Sequence, residues 1–345
     1  MQNEITAPLD LLDANGHIIN EGWARKQFWN YDRNKIKASW LRIKEWDYYY
    51  IISQDKKYGI TFTMSDLGYA GLFAICVFDF NSKKYSQTDT LTLLPRGNIG
   101  FPPSSDYGDI SFKDKTLEIT YSTNNGRRII SFTSPTFIGL DGEKGLQGEI
   151  TLTEAKNMDS MNIATSWKEN RKAFYYNQKI NCMTAKGSFK TGDREFTFDG
   201  QSSFGGLDWG RGNWTYKNRW YWGSASGHLK GIPFGWNIGY GFSDRSPASE
   251  NIIFYNHKAH KLDNIDFIID TDNYLAPWTF TETNKRFELD FQPVFDRYSN
   301  FNVLLIQSTQ HQVFGYFNGY VVLDDGTRLE IKDFPGFAED VYNRW

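Results

Sequence analysis

The sequence predicts an all-β protein built as two antiparallel halves of similar texture, each a sandwich or a barrel. Three observations predict it. Apolar residues alternate with a period of two along most of the chain, the spacing of half-buried strands. Turn signals such as Asn124-Asn125-Gly126, Asp141-Gly142 and Asp325-Gly326 cut that alternation into short runs. At 345 residues the chain exceeds what one hydrophobic core usually supports.

The elements follow in order. A polar, partly extended arm ends in the Asn15-Gly16 turn. Trp23, Trp29, Trp40 and Trp46 come next, interleaved with Arg25, Lys26, Arg33, Arg42 and Lys44. The run from Trp40 to Asp47 alternates and reads as a strand, with a second strand over Tyr48–Ser53. Strands are then expected at Tyr58–Met64, Gly71–Phe80, Thr88–Leu94, Ile110–Phe112, Leu117–Ser122, Arg127–Thr133 and Leu146–Thr153. Asp159–Glu169 is the least strand-like part of the middle, so the domain boundary is placed there, giving domains 1–165 and 166–345. In the second half, strands are expected at Met183–Phe189, Glu195–Phe198, Tyr221–Ser226, Phe234–Phe242, Asn251–Tyr255, Asn264–Asp270 and Trp278–Glu282. Four more follow at Arg286–Phe291, Val303–Gln310, Val313–Leu323 and Arg328–Phe334, and Phe337–Trp345 suggests a short helix.

Composition narrows the function. Lys+Arg 38 against Asp+Glu 41 gives a net charge of −3, without the clustered basic face that nucleic acid or an anionic membrane would call for. Aromatic residues make up 17% of the chain, which fills cores by default and raises the expectation of a lined cavity. Cys76 and Cys182 sit in strand-like apolar surroundings and read as buried thiols rather than a disulfide framework or metal cluster. The first residues lack the basic and apolar regions of a signal peptide, and the longest apolar run, near Leu67–Phe78, is too short to span a bilayer. A soluble, cytoplasmic protein without a transmembrane segment is expected, and Asn213-Trp214-Thr215 is then a chance sequon. Phosphate-cradling loops, dinucleotide fingerprints, nucleophile elbows and zinc or calcium patterns are missing, so no cofactor is expected.

One stretch, Phe204 to Asp244, concentrates the chemistry. It holds Trp209, Trp214, Trp220, Trp222 and Trp236 among many glycines, with Asp208 and Arg211 three residues apart. Gly210 and Gly212 would let the chain turn tightly and bring both charged heads into one pocket. Asp208 is then either a carboxylate poised for proton transfer with Arg211 as its partner, or half of an ion pair tying a loop to a barrel rim. The indoles either close a barrel end or form stacking walls for a ligand; Trp220 and Trp222, two apart, share one strand face. Glu250 and Asn251 can complete a polar cluster with this pair, although a local strand-entry hydrogen bond is the commoner use of such residues. His257 and His260 lack an evident third ligand for a metal. His311 is the better acid/base candidate, against the plainer role of a satisfied histidine at a rim. Lys44, Glu45, Trp46 and Asp47 form a compact charged group that fits an inter-barrel ion pair or a ligand contact.

The chain resembles a bacterial family designated domain of unknown function 2804. The pieces that carry the resemblance are GWARK (22–26), RIKEWDYYYI (42–51), LDWGRGNW (207–214), WYWGSASG (220–227), SENIIF (249–254), APW (276–278), HQVFGYFNGYVVLDDG (311–326) and GFAED (336–340). More remotely, Asp208-Trp209 followed by Trp220, Trp222 and a glycine-rich strand is similar to the carotenoid hydratase, tocopherol cyclase and AttH-like proteins. That likeness implies two lipocalin-like (calycin-like) barrels in tandem and ligands that are isoprenoid-like or otherwise greasy.

The expectation is thus a tandem β-barrel that binds a small, largely apolar metabolite in an aromatic-lined cavity. Catalysis, if present, would be cofactor-free acid/base chemistry (hydration, isomerisation or cyclisation) with Asp208 as the acid. Two alternatives stand beside it. One is a non-catalytic lipid carrier or structural protein. The other is a carbohydrate-active protein, which needs a second carboxylate, with Glu250 the candidate, about 5–9.5 Å from Asp208. Ligand identity and oligomeric state lie beyond the sequence.

Overall fold

Alternation becomes sheet throughout the computed structural model, which describes residues 2–345. The larger sheet has twelve strands. Its main path runs Lys84–Leu93, Ala70–Asp79, Tyr58–Asp66, Ile43–Ser53, Arg194–Asn213, Asn170–Thr191, Lys144–Thr153, Arg127–Ile138, Glu118–Asn124 and Tyr107–Lys113. Met161–Trp167 and Gly22–Ala24 extend it sideways from the first half of the long Asn170–Thr191 strand. The sheet curls until its ends meet: Phe73 stacks on Phe112 with ring centroids 3.6 Å apart, and Lys84 reaches Asp141 at 3.1 Å. The second sheet has nine strands, ordered Lys258–Lys261, Ile252–Tyr255, Ile232–Tyr240, Lys217–Leu229, Arg328–Arg344, Ile306–Val322, Phe287–Val303, Trp278–Glu282 and Ile265–Ile268. Each curled sheet wraps its own apolar core. This is the all-β arrangement of two calycin-like barrels in tandem.

Three expectations are corrected. The sheets divide the chain between Asn213 and Lys217, not at 165/166, because the two long strands Asn170–Thr191 and Arg194–Asn213 pair within the first sheet. The supposed junction contains the strand Met161–Trp167, whose seven residues are all buried. Residues 337–345 form no helix: Arg328–Arg344 is one strand, paired along both edges with Lys217–Leu229 and Ile306–Val322. Trp40–Arg42 is a short 3-10 turn that leads into the Ile43–Ser53 strand.

The barrels meet along a seam. Residues of alternate parity on Ile43–Ser53 and Asn170–Thr191 turn away from the first core toward the second barrel. Tyr48, Tyr50 and Ile52, with Phe78 and Phe80 at the end of the Ala70–Asp79 strand, pack with Trp222, Phe295, Phe314 and Phe337. Polar pegs register the two sheets. Tyr50 Oη lies 2.9 Å from Ser224 Oγ and 2.7 Å from Ser226 Oγ, and Asn181 Nδ2 donates to the carbonyl of Trp236 at 2.9 Å. Because every one of these polar atoms is buried, a small relative slide of the barrels would leave several donors unpaired.

Candidate functional site

Asp208 and Arg211 lie within one regular strand, Arg194–Asn213, and strand geometry sends residues three apart to opposite faces. Asp208 projects into the seam. Its Oδ1 accepts from Asn177 Nδ2 at 2.6 Å, and its Oδ2 lies 2.8 Å from Lys179 Nζ. Asn177 and Lys179 share a face of the neighbouring strand, which pairs residue 177 with 210 and 179 with 208. Arg211 projects the other way, into the first barrel. Its Nη1 donates to Asp47 Oδ1 at 2.9 Å and to the Trp46 carbonyl at 2.8 Å, while the guanidinium lies 4.0 Å from the centre of the Trp209 ring. The expected Asp208–Arg211 partnership is therefore replaced by two separate buried pairs.

Gly210 and Gly212 do not form a turn. They leave room. A Cβ on Gly210 would lie 2.1 Å from the Trp46 ring, and one on Gly212 would lie 2.5 Å from the Phe174 carbonyl oxygen. Glycine here lets an indole lie flat across the backbone, a close-approach role rather than a conformational one.

Around the Lys179–Asp208 pair the seam carries further polar groups. Lys179 Nζ sits 4.1 Å from the centre of the Trp222 ring, a desolvated cation–π contact. Trp222 Nε1 donates to Asn237 Oδ1 at 2.7 Å, and Asn237 Nδ2 donates to the Glu250 carbonyl at 3.0 Å. Tyr175 Oη donates to Glu250 Oε2 at 3.4 Å. On the other flank Gln312 Nε2 donates to Tyr48 Oη at 2.9 Å and also to Glu339. Burial pushes the Glu339 carboxyl up to about 7, with Asp208 reinforcing and Gln312 and Lys179 opposing the shift. Burial also raises Glu250, opposed by Lys179 and reinforced by Asp208. Lys179 and Asp208 thus both act on two further buried carboxyls, Glu250 and Glu339. Burial is what holds a proton on Glu339 near neutrality, with the Asp208 charge adding to the effect and Lys179 opposing it.

The other sequence candidates spread over several surroundings. Trp209 belongs to the first barrel's core and packs edge-on against Tyr176 at 5.2 Å. Trp214 and Trp220 join an aromatic stack with Trp46, Tyr175, Phe242 and Trp345 beside the seam. Trp236 is fully buried inside the second barrel against Phe287, Phe317 and Phe334. Asn251 ties strand ends together, accepting from the Gly239 amide and donating to the Asp263 carbonyl, each at 2.7 Å. His311 lies at the second barrel's rim, its Nδ1 2.6 Å from Asp296 Oδ2 and its ring stacked 3.6 Å from Tyr274. Of the residues singled out in the sequence, Asp208, Trp222 and Glu250 come together; Arg211, Trp209, Trp236, Asn251 and His311 lie elsewhere. Lys44, in the group at residues 44–47, donates to the Leu41 and Leu67 carbonyls, while Glu45 and Asp47 face Arg211.

Lys179, Asn177, Asn237, Gln312 and Glu339 were missed. A polar residue at every second position of NQKIN (177–181) was the available signal, since it marks a polar stripe on an otherwise apolar strand. Glu339 was hidden by reading GFAEDVY as helix. As a strand it places Phe337, Glu339 and Val341 on one face.

Two surface grooves, of about 620 and 340 Å³, lie away from the seam cluster; of the sequence candidates only Trp214 lines one of them, the smaller. The seam cluster itself is covered, with Asp208, Lys179, Glu250 and Glu339 between 4% and 7% exposed.

The family model described as "Domain of unknown function (DUF2804)" matches residues 2–345. No curated protein matches in sequence. Solved structures do resemble the chain in fold. A putative AttH from Nitrosomonas europaea aligns with a TM-score of 0.52 at 9% identity, over 88% of this chain and 92% of that one. CghA with Sch210972 aligns at 0.53 and 10% identity, over 89% of each chain. Kievitone hydratase from Nectria haematococca aligns at 0.50 and 11% identity, over 87% of this chain and 88% of that one.

Proposed function

Starting from the membership of this chain in the DUF2804 family, we propose that it binds a small, largely apolar metabolite at the seam between its barrels and acts on it by cofactor-free acid/base chemistry. One observation carries the reading: a buried carboxyl, Glu339, sits near pH 7 beside a Lys179–Asp208 pair and a tryptophan face. A general acid works best when its pKa lies near the working pH, and this one needs no metal or nucleotide to reach it. Glu339 would deliver a proton to an alkene, enone or hydroxyl leaving group. The Lys179–Asp208 pair would stabilise the charge that follows, and Trp222 would cover a cationic or polarised carbon framework. The solved structures of similar fold support this reading, since they include a hydratase and a protein crystallised with a small molecule. Because the cluster is covered, binding requires the barrels to part locally.

The test begins with native mass spectrometry and solvent extraction of the purified protein, followed by incubation with a panel of isoprenoid alcohols, polyenes and enones. The reading expects a retained apolar ligand and a product differing by addition, loss or relocation of a proton or water. Glu339→Gln should abolish turnover while retaining the ligand. A protein that retains ligand but yields no product in wild type or variant is a carrier. One that retains no apolar molecule at all overturns the proposal.

A further inference from the structure

The hairpin formed by Phe287–Val303 and Ile306–Val322 extends past the second barrel and ends in an unusual turn. Val303 pairs with Ile306, so Leu304 and Leu305 alone make the loop. A two-residue hairpin turn favours Asn-Gly or Asp-Gly because its backbone enters the left-handed region. Leu304 does enter it, with φ at +53°, where a leucine side chain is strained. Both leucines point into solvent, 90% and 73% exposed, and Val303 and Phe301 beside them are exposed as well. An apolar tip thus stands where both turn chemistry and solubility call for polar residues.

The ground beside the tip is cationic. Tyr216 Oη donates to the Leu305 carbonyl at 2.5 Å and also lines the 340 Å³ groove. Lys37, Arg42 and Lys172 line that groove with Trp214, and its lining contains no carboxylate. Arg344 donates to the Leu304 carbonyl at 3.4 Å, adding a fourth cation at the base of the tip. The Arg42 guanidinium lies 5.2 Å from the centre of the Tyr216 ring.

We infer that this end of the second barrel docks on an anionic lipid surface, with Leu304 and Leu305 entering the acyl boundary and the four cations meeting headgroups. Exposed apolar side chains beside Lys and Arg, with the part-buried Tyr216 bonded to the tip, match the layered polarity of a bilayer interface. The charge of the groove selects an anionic surface over a neutral one. The net charge of −3 does not oppose this, because attraction acts over a Debye length of the local patch rather than over the whole chain.

The test is flotation of the full-length protein with vesicles of phosphatidylcholine alone and with added phosphatidylserine. Binding is expected to the anionic vesicles and to weaken as salt rises. The double variant Leu304→Asn/Leu305→Gly supplies the turn's preferred residues and so should fold at least as well as wild type by thermal melting. It should bind at least about tenfold more weakly, since two apolar side chains no longer leave water. Lys37→Glu/Lys172→Glu should remove the preference for anionic vesicles. Failure of wild type to float with anionic vesicles overturns the inference, as does equal binding by the leucine variant. Sedimentation velocity covers the remaining occupant: a wild-type dimer that the leucine variant turns into a monomer would make the tip a protein contact and also overturn it.

Discussion

Asp208 and Arg211 occupy one strand three residues apart, yet they serve different interiors: Asp208 meets Lys179 at 2.8 Å in the seam, and Arg211 meets Asp47 at 2.9 Å inside the first barrel. The strand is the wall between two buried polar networks. Changes on its two faces should therefore have separable consequences.

Lys179 faces three buried carboxyls. Removing its charge as Lys179→Met should destabilise the protein by about 3–5 kcal/mol at pH 8, where the carboxyls compete to ionise without a cation. The loss should shrink at pH 5, because Glu339 can then remain neutral. Urea unfolding at the two pH values measures both; an equal loss at each would contradict the shared-lysine arrangement.

Glu339 predicts a pH slope of definite sign. Its folded pKa is raised from 4.5 to about 7, so between those values the native state holds a proton that the unfolded chain has released. Stability from this group is present below pH 4.5 and declines as pH climbs to 7, by on the order of 3 kcal/mol at about 1.4 kcal/mol per pKa unit. Glu339→Gln should flatten that part of the stability profile, and Asp208→Asn should move its upper end to lower pH.

On the opposite face, Arg211→Lys should not substitute for arginine. The guanidinium bonds Asp47 and the Trp46 and Gly210 carbonyls together while lying over Trp209, a fork that an ammonium cannot reproduce. A loss of about 3 kcal/mol is expected by denaturant titration, together with a changed indole fluorescence from Trp209. Ligand retention at the seam should change far less than in Trp222→Ala.

Gly210→Ala tests the close-approach role. Its Cβ would press on the Trp46 ring at 2.1 Å, and that ring is itself held against Trp214 and Tyr175. Overpacking of this kind should cost about 1–3 kcal/mol and lower the melting temperature. Gly210→Ala combined with Trp46→Leu should recover part of the loss, which a strained turn would not do.

The alternating pattern and turn residues were enough to read strand content, because a strand buried on one face and exposed on the other writes its burial into every second residue. Short-range signals failed where burial on both faces erased the alternation. Met161–Trp167 is buried at every position, and the GFAED segment mixes small and acidic residues within a strand sandwiched between two others. Placing Asp208, Trp222 and Glu250 in one region was within reach because they lie in or next to the same glycine- and tryptophan-rich stretch. Lys179 is brought to Asp208 by the pairing of its strand with the next one, while Gln312 and Glu339 come from strands far away in the chain and only sheet packing brings them there.

By itself the sequence determined an all-β chain of two curled halves, the concentration of indoles and glycines between 204 and 244, and a scarcity of cofactor motifs. Those features are local: each depends on spacing within a few residues. The tertiary structure decided which charges meet. A strand's two faces belong to different interiors, so Asp208 and Arg211, only three residues apart, are kept apart by the backbone that joins them. Lys179 and Glu339, 160 residues apart in the chain, are brought into one electrostatic cluster with Asp208 because the packing of the two sheets buries them in the same seam.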